Sequence, residues 1–242
     1  MSRNVIILTS GLSGSSVLTA LLAGAGYWAG KNTAKKLDYD TFENQQLVEL
    51  NQQLVDLAGF APGHSYTRTF SQDRIDNVAE AFESTPTAPF EALLQTCQTH
   101  SPWVWKDPRL WLTIRFWANL LDLQQTDFLL LTRSPLQSWI SSINRRHIET
   151  YAYTKQYASE INAANLAFLQ QHNARYLELE YEQLLRFPLT CLQQLNDFLN
   201  TSLVVADLNK VYTGKLYRYP RGSRDFCRAV LIYLKNYGER QR

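Results

Sequence analysis

The chain is short of the residues that staple small folds or bind metals. Its 242 residues include three cysteines, Cys97, Cys191 and Cys227, an odd number with no paired spacing and no histidine cluster nearby. That pattern argues against a disulfide framework and a zinc site, and for a reduced, cytoplasmic protein. Long apolar runs are also missing. The longest mostly apolar stretch, Val17 to Ala29, is too short to span a bilayer and carries two glycines, Gly24 and Gly26. Nor does the start read as a signal peptide, because Val5-Ile6-Ile7-Leu8 leads into Gly and Ser rather than a cleavage site. Net charge is nearly absent: 24 basic residues against 22 acidic ones give +2, which points away from a polyanionic partner such as duplex DNA. No repeat, low-complexity tract or linker interrupts the chain, so residues 1–242 are expected to form a single domain.

What is present is a core-forming composition, 45% hydrophobic and 19% charged, which excludes disordered and coiled-coil classes. Charge is unevenly placed. From Asp207 onward there are nine basic residues and three acidic ones, on a mildly acidic remainder. This basic end reads either as a solvated tail or as a surface for a small anion or an acidic partner.

Periodicity gives the elements. Val5–Leu8 reads as a buried strand, 9–16 as a small-residue loop, and 17–25 as a helix. Residues 37–60 show helical spacing through Leu47, Leu50, Leu54 and Leu57, while 61–102, with four prolines, reads as loops plus a short helix or two. Trp103–Trp105 is a strand, and 110–123 an amphipathic helix. Phe128–Leu131 is a second continuous apolar strand, with a helix starting at Pro135. Helix 159–172, strand 175–179 and helices 181–186 and 189–200 complete the pattern. The alternation of strand and helix predicts an α/β fold, a central parallel sheet flanked by helices.

Three segments carry candidate chemistry. The loop Gly11-Leu12-Ser13-Gly14-Ser15-Ser16 joins a strand to a helix N-terminus, where backbone N–H groups and the helix dipole receive phosphate or sulfate. It lacks the lysine that the ATP-hydrolysing phosphate loop requires, so that chemistry is disfavoured. The alternative is a tight turn with no ligand. Trp105-Lys106-Asp107-Pro108-Arg109 follows a strand, and sets a carboxylate between two cations at the edge where ligands bind in parallel sheets. It reads either as a proton acceptor with anion-holding neighbours or as a surface ion cluster. Arg133-Ser134-Pro135 follows the next strand, with Ser141 two turns on; an Arg fork and a hydroxyl can grip one phosphate, or the Arg can cap nearby carbonyls. Arg145 and Arg146 extend the positive surface.

In this order and spacing, the three segments resemble the sulfotransferases that use 3'-phosphoadenosine 5'-phosphosulfate (PAPS). Phe42-Glu43-Asn44 with Leu47 to Leu54, Trp103 to Trp117, and Tyr181 to Pro188 are similar to segments of a bacterial, glycan-type subgroup with the K-D-P-R motif. The resemblance spans about residues 4–200 and implies a P-loop-like three-layer fold. It implies that Gly11, Leu12, Ser13, Gly14, Ser15 and Ser16 hold the 5'-phosphosulfate, and that Arg133 and Ser141 hold the 3'-phosphate, with Arg109 also on the cosubstrate. Asp107 would be the catalytic base, Lys106 the cation on the transferring group, and Glu43 the second choice of base. Arg221-Gly222-Ser223-Arg224 loosely matches the family's late phosphate-binding segment. The implied reaction moves a sulfuryl group from PAPS to a hydroxyl, on a carbohydrate or glycan, and uses no metal. The family's loop cation falls at Leu12, with Lys106, Arg109 or Lys31 as substitutes. That departure leaves open a catalytically impaired nucleotide-binding protein on the same fold; an ATP-dependent kinase-like enzyme is the other alternative. Trp111 and Trp117 are read as core, and Trp103 or Trp105 as core or as a stacking surface for a sugar or adenine.

Overall fold

The computed structural model describes residues 3–57, 70, 75, 82–83, 85–213, 216 and 218–239. In chain order the first half comprises β1 (Asn4–Thr9), α1 (Ser15–Gly24), β2 (Thr33–Lys35), β3 (Asp40–Asn44), α2 (Gln45–Leu57), α3 (Ala88–Gln98), β4 (Val104–Lys106) and α4 (Leu110–Trp117). The second half comprises β5 (Thr126–Thr132), α5 (Pro135–Asn144), α6 (Tyr151–Gln171), β6 (Tyr176–Glu180), α7 (Tyr181–Arg186), α8 (Pro188–Leu199), α9 (Val205–Val211) and α10 (Ser223–Lys235).

Four strands form one sheet in the order β4-β1-β5-β6, every pair parallel. The expected central sheet flanked by helices is therefore present. The reason lies in β1. Val5, Ile6, Ile7 and Leu8 are all fully buried, yet successive side chains of a strand point to opposite faces. Ile6 and Leu8 join Trp105, Phe128 and Leu130 in a core with α2, α3, α4 and α6. Val5 and Ile7 join Val104, Leu129 and Leu131 in a second core with α1, α7, α8 and α9. Only a strand covered on both sides needs an unbroken apolar run.

Several sequence expectations are corrected. Residues 37–60 are not one helix: an antiparallel hairpin, β2–β3, precedes α2, with Thr33 opposite Asn44 and Lys35 opposite Asp40. Asn44 sets the helix start, its Oδ1 accepting from the N–H groups of Gln46 (3.0 Å) and Leu47 (3.4 Å). The leucine spacing was a true signal only from Leu47 on. Residues 58–60 of that expectation, most of 61–84, and Lys215, Arg240 and Arg242 of the basic end lie outside the described residues. The helix expected over 110–123 ends at Trp117, and the described part of the basic end includes the last turn of α9 and all of α10. Trp103 and Trp105 are core residues, their rings 4.6 Å apart, and not a stacking surface for a ligand. Among the described residues, no helix is long and apolar enough to cross a membrane.

Candidate functional site

Parallel strands end on the same edge, so whatever follows each one is gathered there. Beyond β1 come Ser10–Gly14, at the end of β4 Lys106, beyond β5 Arg133, and beyond β6 Tyr181. All of these line one cavity of about 250 Å³. Glu43, Ser141 and Arg221 line it too, as do Lys36, Tyr39, Thr41, Arg145 and His147.

The loop is built for close approach. Gly11, Leu12 and Gly14 all have positive φ, and Gly14 is the N-cap of α1. A Cβ on Gly14 would meet the Tyr181 ring at 2.3 Å, so glycine is required there by both conformation and space. The Thr9 and Ser13 hydroxyls hydrogen-bond one another beneath the loop, and Gly11 N–H donates to Thr9 Oγ1 at 3.2 Å. Val17 N–H donates to the Gly14 carbonyl at 3.0 Å, which leaves the Ser15 and Ser16 amides of the first turn beside the cavity.

On one side of the loop stands an ion pair. Lys106 Nζ donates to Glu43 Oε1 at 2.6 Å and to Ser16 Oγ at 3.4 Å. Lys106 is 2% exposed, held at the end of β4 in register with Ile7. Glu43 arrives from the hairpin, at the last turn of chain before α2. This pair offers a proton acceptor and a cation within one hydrogen bond of each other.

On the other side is a cluster built on Arg133, Ser141 and Arg221. Arg133 Nη1 donates to the Leu12 carbonyl at 2.7 Å, and its Nε to Glu182 Oε1 at 3.2 Å. Glu182 Oε2 also accepts from Ser134 N–H at 2.9 Å, so the carboxylate fixes both the guanidinium and the strand exit. Nη2 of Arg133 is buried without an acceptor. Burial lowers the guanidinium's proton affinity and Glu182 opposes the shift. Arg221 Nε donates to Ser141 Oγ at 2.8 Å, and Gln137 ties the Arg221 backbone to α5 through Oε1 (2.7 Å) and Nε2 (3.1 Å). Sequence reasoning gave Arg221 only a loose match, because it lies far along the chain from Ser141.

Two expected site residues are placed elsewhere. Asp107 is wholly buried and does not line the cavity. Its Oδ1 accepts from Arg109 N–H (3.0 Å) and Arg109 Nη1 (2.9 Å), and its Oδ2 from Asn51 Nδ2 (2.9 Å). Asn51 Oδ1 in turn accepts from Trp117 Nε1 at 2.8 Å, and Arg109 Nε reaches Gln52 Oε1 at 3.0 Å. The pair therefore clamps α2 to the β4–α4 segment. A carboxylate enclosed by these donors cannot meet an acceptor hydroxyl, and Arg109 is committed to it rather than to the cavity. Lys31 does not line the cavity either, so of the substitutes considered for the loop cation only Lys106 does.

Burial pushes the Asp107 carboxyl above the usual carboxylate range; Arg109 and the other donors pull it down, while Glu43 adds to the rise. A raised acid contributes stability that is complete below its unfolded value, about 3.9, and is lost as pH rises through the folded one. The urea midpoint of the wild type, measured against Asp107→Asn, is therefore expected to decline from pH 4 upward. A constant difference from pH 4 to 8 would contradict the raised value.

Sequence reasoning missed Lys36, Tyr39 and Thr41, because the hairpin was read as helix. Lys36 N–H donates to the Tyr39 carbonyl at 2.9 Å to close the turn, and the Arg145 guanidinium lies 5.9 Å from the Tyr39 ring centre. Tyr181 was quoted only as part of a motif; its position directly after a buried strand was the usable signal. Its hydroxyl is pushed up chiefly by burial, so it stays neutral across ordinary pH.

No family model and no curated protein matches the chain. Among solved structures, it is similar to the sulfotransferase domain from the Synechococcus PCC 7002 olefin synthase, at 23% identity, over 93% of this chain and 82% of that one, with a TM-score of 0.53. It is also similar to the sulfotransferase domain from the curacin biosynthetic pathway, at 21% identity, 93% and 82% coverage and a TM-score of 0.54. At these identities the likeness is one of fold, and the fold of this chain is that of these domains.

Proposed function

We propose that this protein, as a single unit over residues 1–242, is a PAPS-dependent sulfotransferase acting on a hydroxyl of a carbohydrate acceptor. One observation carries the reading. A phosphate-type loop, a Lys–Glu pair and an Arg–Ser–Arg cluster converge on one cavity, where a buried Arg133 N–H has no acceptor. The two anionic ends of PAPS need two such sites, and the loop and the Arg133–Ser141–Arg221 cluster supply them. The shared fold supports the same reading, and the carbohydrate acceptor follows from the resemblance of the K-D-P-R and Phe42-Glu43-Asn44 segments to the glycan-type subgroup.

Glu43 takes the base role that the sequence reading gave first to Asp107, since it is the carboxylate beside Lys106 in the cavity. It accepts the proton of the acceptor hydroxyl as that oxygen bonds to sulfur. The bond from sulfur to the nucleotide's phosphate oxygen breaks at the same centre, leaving adenosine 3',5'-bisphosphate. Lys106 and the loop amides hold the negative charge that develops on the transferring group and the departing phosphate, so catalysis is positioning and electrostatics.

Leu12 supports a second reading, a nucleotide-binding protein without turnover, because the family's loop cation is absent there. Calorimetry with adenosine 3',5'-bisphosphate, with ATP and AMP as controls, tests the site itself. Micromolar binding is expected, weakened about a hundredfold in Arg133→Ala through loss of charge-assisted hydrogen bonds. No binding, or a preference for ATP, would overturn both readings. Binding with no sulfate transfer from PAPS to any of a panel of sugars would favour the second.

A further inference from the structure

The outer side of α10 is both apolar and basic. Its inner side is anchored: Ala229 and Ile232 pack on Trp139, Ile140 and Ile143, and Asn144 Nδ2 donates to the Asp225 carbonyl at 3.3 Å. Outward it presents Leu231 and Leu234, 60% and 61% exposed, with exposed Cys227 one turn before them. At 100° per residue these three form one stripe, spaced i, i+4, i+7. Arg224, Arg228 and Lys235 form a second stripe directly beside it. All three are exposed, and none makes an ion pair among the described residues. Asp225, the acid within the helix, turns away, its Oδ2 lying 3.7 Å from Arg221. Tyr219 precedes the helix and Tyr237 follows it, both more than half exposed. With Phe226, they make five exposed large apolar side chains between residues 219 and 237, on the stretch where the basic excess concentrates.

We propose that this face of α10 docks on an anionic lipid bilayer. An apolar stripe flanked by cations, with a tyrosine at either end, suits the headgroup boundary: the leucines enter the acyl margin, the cations meet phosphate and carboxylate headgroups, and each ring keeps its hydroxyl in water. A second copy of the chain fits less well, since it would bring the basic stripe against its like. The proposal does not depend on sulfuryl transfer, because none of these side chains lines the cavity.

Co-sedimentation of the purified chain with phosphatidylcholine vesicles, with and without 30% phosphatidylserine (about one anionic lipid in three, as in an anionic leaflet), tests it. Binding is expected only with the anionic lipid, and less at high salt. The triple change Arg224→Gln, Arg228→Gln, Lys235→Gln should weaken it on the order of a hundredfold. The pair Leu231→Ser, Leu234→Ser should weaken it about tenfold or more. Matched circular dichroism confirms that both variants fold. Equal binding to neutral vesicles, no binding, or full binding by the leucine variant would each overturn the proposal. So would a concentration-dependent dimer lost in the leucine variant without vesicle binding, which would assign the face to a second copy.

Discussion

Glu43→Gln is expected to lower sulfate transfer by about 10²–10⁴-fold, the usual contribution of a positioned general base. The change is isosteric. The glutamine oxygen can still accept from Lys106 Nζ, now 2.6 Å from Glu43 Oε1, so the pair's geometry and the hairpin survive. What is lost is the group that receives the acceptor proton. Nucleotide affinity should be within a few-fold of wild type, since Arg133, Ser141 and Arg221 are untouched. The informative control is Asp107→Asn. If Asp107 were the base, its amide variant would be inactive and Glu43→Gln nearly normal. The structure leads to the opposite ranking, and steady-state rates of the two variants with one acceptor decide between them.

Lys106→Met is expected to cost about 10²–10³-fold in turnover, comparable to removing one donor from a site that stabilises developing charge. Two features make this lysine unusually exposed to substitution in functional terms. It is almost wholly enclosed, so water cannot replace its charge. It also reaches the loop through Ser16 Oγ, where Leu12 supplies no charge. Removing it leaves Glu43 without the partner that holds it, so the acceptor's KM should rise along with the fall in turnover. Lys106→Arg should restore activity only in part, because a planar guanidinium does not reproduce the compact charge that Lys106 Nζ holds 2.6 Å from Glu43. Wild-type turnover in Lys106→Met would show that charge on the transferring group is stabilised elsewhere.

The sheet and the loop are legible in local sequence. Val5–Leu8 and Phe128–Leu131 are unbroken apolar runs because both faces of those strands are covered, and the glycine-rich loop needs positive φ where Gly11 and Gly14 stand. These are local demands, and local demands leave a local mark. Pro135 likewise announced the start of α5. The hairpin before α2 left a weaker mark. Its strands are three and five residues long, and the leucine spacing of the following helix runs close enough to absorb them.

Which acid faces the cavity depends on packing across the fold. Asp107 and Glu43 are both carboxylates close to Lys106, one adjacent in sequence and the other brought in by the hairpin. Sequence adjacency favoured Asp107. Yet consecutive residues leaving a strand turn to opposite sides, so the neighbour of a cavity-facing lysine is directed into the core. There Asn51 and Arg109 donate to it, and Trp117 holds Asn51 in place. Arg221 shows the converse, being 80 positions from Ser141 in the chain and 2.8 Å from it in space. The composition of such a cluster is written along the chain, but its assembly depends on how α10 packs against α5, and that is a property of the whole fold.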